Sequence, residues 1–130
     1  MYDVVPLSKE VEEKQITTGN INELPVCNVL SMDTDGEDYE LWKAYNGKPE
    51  IVIIEINSSF PPSVDHYSKQ TGCSYRLMAK LGEQKGYFLL CHTGNMVFVD
   101  KKFKSFFPEI TGDPIYNHEK YFNASWLAVV

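Results

Sequence analysis

The stretch "DTDGEDYELWKAYNGKPEIVIIEI", Asp33 to Ile56, decides the fold. It opens on a turn, because the Asp and Gly residues of Asp33–Asp38 supply the side-chain bonds and positive φ that turns require. It closes on the clearest strand in the protein, Glu50–Ile56, whose core Ile51–Ile54 is apolar on both faces and belongs in the middle of a sheet. Between them, Tyr39–Tyr45 fits either a helix or a strand. Asn46-Gly47 is a strong hairpin dipeptide, and it favours reading the stretch as two antiparallel strands.

Working outward, "YDVVPL" at Tyr2–Leu7 reads as a short edge strand, with Pro6 near its end. Ser8 caps a brief helix that "TTGN" at Thr17–Asn20 stops. "LPVCNVLSM" reads as a strand. Beyond Pro61-Pro62, "PSVDHYSKQTG" has a proline start and a glycine end that suit a short helix. "SYRLMAKLG", "YFLLCHTG" and "NMVFVD" read as three strands of a meander. Phe103, Phe106 and Phe107 recur at helical spacing after Asp100, and the uncharged "WLAVV" ending suggests a last strand near the C-terminus. The expectation is one α+β domain over residues 1–130, with a mainly antiparallel sheet of five to seven strands. Two or three short helices accompany it, one after Asp100 and one near Ser8 or Ser63.

With 43% hydrophobic and 23% charged residues, the chain has the composition of a globular protein. No apolar run approaches the roughly 20 residues that span a bilayer, so no membrane partner is expected. The opening lacks the basic start and apolar core of a secretory leader, and the three cysteines suit reduced thiols, so a cytoplasmic location is expected. A net charge of −6 argues against direct nucleic-acid binding, which needs a basic stripe. Its distribution is uneven. Residues 1–60 hold twelve acidic and four basic side chains, a net of −8, and residues 61–130 hold six and eight, a net of +2.

The acidic block Asp33, Asp35, Glu37, Asp38 and Glu40 places five carboxylates within eight residues, beside Tyr39 and Trp42. Such a run is either a solvated face or a recognition surface, in which charges steer a basic protein partner and aromatics anchor it. These seven residues are the expected partner contacts. The function this favours is a small acidic inhibitor or immunity-type protein that neutralises a toxin or a nucleic-acid-acting protein by occlusion.

Other chemistry is weaker. Cys91 and His92 are adjacent, and on a strand adjacent residues point to opposite faces, so they do not form a nucleophile and base with each other. Strict alternation would put Tyr87, Leu89 and Cys91 on one face, and Phe88, Leu90 and His92 on the other. A cysteine hydrolase would need Cys73 or Cys91 to meet His66, His92 or His118 in space. A ligand-binding or sensor domain would need a pocket lined by Tyr75, Tyr87, Phe88 and Phe98. No cofactor motif occurs, and no Cys or His pair has metal-ligand spacing. "SMDTDGEDYELW" resembles a calcium loop, but Trp42 stands where the bidentate Glu belongs, so a solvated turn and no metal are expected. Glu55, inside the best strand, is expected on a solvated face.

Overall fold

The computed structural model describes residues 14–92 and 94–107. The expected strands near the two ends of the chain and the start of the helix at Ser8 lie outside the described residues, as does His118.

Asp33–Ile56 forms the middle and end of a β-α-β unit, not a hairpin. Strand β1 (Val29–Met32) leads through a turn into helix α1 (Asp38–Ala44), which returns the chain to β2 (Ile51–Glu55), parallel to β1. The helix forms because Asp38, Leu41, Trp42 and Tyr45 recur at three and four residues, and all four are buried. Asn46-Gly47 serves another purpose. A Cβ at Gly47 would lie 2.1 Å from the Tyr45 ring, so glycine here makes room for the buried phenol.

The chain then makes a small hairpin, β3 (Tyr67–Ser68) with β4 (Gly72–Cys73), where a helix was expected. Gly72 at φ 76 and the Ser68 hydroxyl, which accepts the Thr71 N–H, fix this turn. Helix α2 (Tyr75–Gln84) replaces the strand expected at Ser74–Gly82. Strands β5 (Tyr87–His92) and β6 (Asn95–Asp100) form the expected hairpin, and a 3-10 helix, Lys101–Phe106, follows Asp100 as expected. The main sheet has the order β1-β2-β6-β5. Among the described residues it is therefore mixed and four-stranded, where five to seven mainly antiparallel strands were expected, and β2 lies inside it as predicted.

Both helices cover one face of this sheet. Val52 and Ile54 of β2 lie opposite Phe98 and Met96 of β6, and all four join Leu41, Trp42, Met78 and Leu81 in the core. The Trp42 ring packs on Phe98 at 5.0 Å and on Tyr87 at 5.7 Å between centroids. Burying rings of this size contributes about 2–3 kcal/mol each. Gly82 permits the close approach of α2, since a Cβ there would lie 2.3 Å from the Phe98 ring.

A bulge between Leu89 and Cys91 breaks the alternation of β5. His92 pairs with Met96, and Leu89 with Phe98, so Tyr87, Leu89 and His92 share the helix-covered face. Phe88 and Cys91 lie opposite Val99 and Val97 on the other face. Cys91 and His92 thus stay on opposite faces, but with the assignments that strict alternation gave them exchanged.

Candidate functional site

Because β1 and β2 run parallel, their carboxyl ends lie side by side. Asp33 follows the last residue of β1, Glu55 is the last residue of β2, and Asp35 lies in the turn before α1. In open sheets of this kind, ligands collect in the crevice beyond the carboxyl ends of parallel strands. Carboxylate oxygens of Asp33, Asp35 and Glu55 come within 4.8 Å of one another.

The turn that carries them is built tightly. Asp35 takes φ 57 and Gly36 takes φ 138. A Cβ at Gly36 would lie 2.1 Å from the Lys69 carbonyl oxygen, so the turn presses directly on the β3–β4 hairpin. The buried Asp38 carboxylate accepts the Thr34 N–H at 3.0 Å and the Gly36 N–H at 3.4 Å. It ties the acidic turn to the start of α1.

This crowding raises the affinity of Glu55 for a proton. Its carboxyl is pushed from 4.5 up to about 7, first by a hydrogen bond with Asp33, then by burial, and then by the charges of Asp33, Asp38 and Asp35. At neutral pH the cluster therefore holds a proton part of the time. A cleft of about 270 Å³ opens beside it, bounded by Asp35 and Glu55 on one side and by Gln70, Thr71 and Gly72 on the other. Asn57 spans the gap, its amide donating to the Thr71 carbonyl at 2.7 Å. No lysine or arginine is among the described residues lining the cleft.

Of the seven expected contacts, Asp33, Asp35 and Glu37 are exposed, and Tyr39 and Glu40 are half-buried. Glu37 pairs with Lys69 at 3.3 Å. Tyr39 leans on Tyr67 at 5.0 Å between centroids. Asp38 and Trp42 are buried, at 4% and 0% exposure, and cannot face a partner: the first caps the turn, the second fills the core. Glu55, expected on a solvated face, is half-buried at the mouth of the cleft and lies within reach of the Asp33 and Asp35 carboxylates. The carboxylate that joins Asp33 and Asp35 comes from β2 and not from the position of Trp42.

Cys73 does not fit the role of a nucleophile. Cys73 is buried, and burial followed by the charges of Asp38 and Asp65 pushes its thiol up to about 12. Its sulfur donates to the Ser74 carbonyl at 3.3 Å, which leaves it a structural thiol. His66 bonds the Thr71 hydroxyl at 2.8 Å. Burial lowers the proton affinity of His92, whose ring packs against Tyr75 at 5.6 Å. The four aromatics considered for a ligand pocket are not brought together. Tyr87 and Phe98 are in the core, and Phe88 lies on the opposite face.

Among the described residues, no helix is long and apolar enough to cross a membrane. No family model, curated protein or solved structure matches this chain.

Proposed function

We propose that this chain is a binding domain whose acidic cleft takes up a hard divalent cation, held by Asp33, Asp35 and Glu55. One observation carries the reading: three carboxylates from two parallel strand ends and one tight turn converge within 4.8 Å. Oxygens that share one such ion at about 2.1–2.6 Å lie no farther apart than about twice that distance. An all-carboxylate set selects Mg²⁺, Ca²⁺ or Mn²⁺ over softer metals. The proton on Glu55 offsets the same mutual repulsion that an ion would offset, and binding an ion would displace it. The adjoining cleft, with Asn57 and the Gln70–Gly72 turn on its walls, leaves room for a small polar ligand beside the ion. The test is thermal unfolding with Mg²⁺, Ca²⁺ or Mn²⁺ added at constant ionic strength. Stabilisation by one of them that Asp33→Asn abolishes supports the reading; no stabilisation by any of the three sinks it.

A second reading keeps the acidic edge as a surface for a basic protein partner, as an inhibitor or immunity-type protein would use it. It is favoured by the exposure of Asp33, Asp35 and Glu37 next to half-buried Tyr39 and Glu40. Glu37 and Glu40 separate the two readings, because they lie outside the cation cluster. The double variant Glu37→Lys, Glu40→Lys would abolish salt-sensitive capture of a basic protein and leave the cation response intact. Unchanged capture after that reversal would count against an electrostatic partner surface.

A further inference from the structure

The end of the sheet opposite the acidic cleft has a different character. Lys101, Lys102 and Lys104 fall within four residues of the 3-10 helix, and all three are exposed. Residues three apart stack on one side of a 3-10 helix. Phe103 and Phe106 do so, with ring centroids 6.2 Å apart. Phe107 anchors the helix edge-on against Phe88 at 5.6 Å. Phe106 remains 79% exposed. With Ile51 and Val99, the three phenylalanines line a mainly apolar groove of about 240 Å³ on the sheet face that α1 and α2 leave uncovered, with Glu50 at its edge.

We propose that this end of the molecule docks on an anionic lipid surface, with Phe106 entering the headgroup layer and Lys102 and Lys104 against the lipid phosphates, Lys101 being paired with Glu83 at 2.6 Å. Charge and apolarity are complementary to that occupant together: exposed lysines flank an exposed ring, the combination that holds segments in a membrane interface. A soluble acidic protein would satisfy the lysines but not the groove. A single strand of nucleic acid would need a row of open rings, whereas Phe103 and Phe107 are half-buried against the sheet. No spanning helix is required, and the absence of one among the described residues bears only on the spanning mode. The net charge of −6 is not prohibitive, because the clustered carboxylates lie at the far end of β2, four residues and about 13 Å from Ile51. That distance exceeds the Debye length of about 8 Å in physiological salt. Docking in this way leaves the acidic cleft facing water.

The experiment is co-sedimentation of the full chain with phosphatidylcholine vesicles, with and without phosphatidylserine, at low and high salt. The expected result is binding to the phosphatidylserine vesicles alone, weakened by salt. Each lysine removed in Lys102→Gln and Lys104→Gln lowers the affinity about fivefold. Phe106→Ser lowers it further, while Asp33→Asn leaves it unchanged. Phe106→Trp gives a positive readout independent of stability, a blue shift of emission on adding anionic vesicles. No sedimentation with either vesicle, equal binding to both, or indifference to the two lysine changes overturns the proposal. Capture of an anionic polymer without vesicle binding overturns it as well.

Discussion

Replacing Glu55 by glutamine should stabilise the fold, by an amount that grows as pH rises above 4.5 and levels off above about 7. The carboxyl titrates near 7 in the folded chain against an ordinary value of 4.5, so between these values the folded state holds a proton the unfolded state has lost. The contribution of Glu55 is therefore fully present below pH 4.5 and is lost as pH rises through 7. At 1.36 kcal/mol per pH unit the whole shift would be worth about 3 kcal/mol. Solvent screening of a half-exposed cluster reduces this to about 1 kcal/mol. Glutamine keeps the size and the hydrogen-bonding capacity but never carries the charge. Urea unfolding of both proteins across pH 4.5–8.5 should give curves that nearly coincide at the acid end. At the alkaline end the variant should lead by about 1 kcal/mol, or roughly 3–5 °C in Tm for a chain of this size. Carboxylates outside the cluster titrate in both proteins and drop out of the difference. A variant less stable than the parent at pH 8, or a difference that does not change with pH, would refute the reasoning.

Asp38→Ala should cost about 1–3 kcal/mol in chemical denaturation, because the Thr34 and Gly36 N–H groups lose their buried acceptor. It should also loosen the turn that presents Asp33 and Asp35. Gly82→Ala should cost a similar amount, about 1–3 kcal/mol by the same assay, since the new methyl meets the Phe98 ring at 2.3 Å. Cys73 should alkylate at least a hundredfold more slowly in the folded protein at pH 8 than in denaturant, measured by mass spectrometry with iodoacetamide. Burial and neighbouring carboxylates hold its thiol near 12, which leaves about a thousandth of the thiolate present at an ordinary value of 9.

The parts of the fold legible in the sequence are those whose signal is local. β2, the β5–β6 hairpin, the Asp33–Asp38 turn and the helix after Asp100 follow from apolar runs, glycines and aspartates that act on their own neighbours. Tyr39–Tyr45 was legible too, since Asp38, Leu41, Trp42 and Tyr45 carry the helical period. The hairpin dipeptide Asn46-Gly47 outweighed it, although that glycine answers to the Tyr45 ring and not to a strand turn. Tyr75–Gln84 was ambiguous by pattern, because Tyr75, Leu77, Ala79 and Leu81 alternate like a strand. Its composition was not ambiguous: Arg, Leu, Met, Ala and Lys are strong helix formers, and no β-branched residue interrupts them. The bulge at Leu90 left no mark in the sequence, and neither did the burial of Asp38 and Trp42 within the acidic block.

The acidic site was half legible for the same reason. Asp33 and Asp35 announce themselves in one turn, but Glu55 joins them only because α1 makes β1 and β2 parallel. A hairpin between Tyr39 and Ile56 would have given a different arrangement of strand ends. The ambiguity of Tyr39–Tyr45 between helix and strand is thus what hides the approach of Glu55 to Asp33 and Asp35.

Calorimetric titration of the cation that stabilises the protein, carried out at pH 7 in two buffers of different ionisation enthalpy, tests the central claim most directly. With Glu55 titrating near 7, uptake of one ion should release about half a proton at pH 7 and almost none at pH 8.5. Glu55→Gln should release none at either pH. The absence of saturable binding, or binding with no proton released at pH 7, would contradict the assignment of Asp33, Asp35 and Glu55 as a cation site.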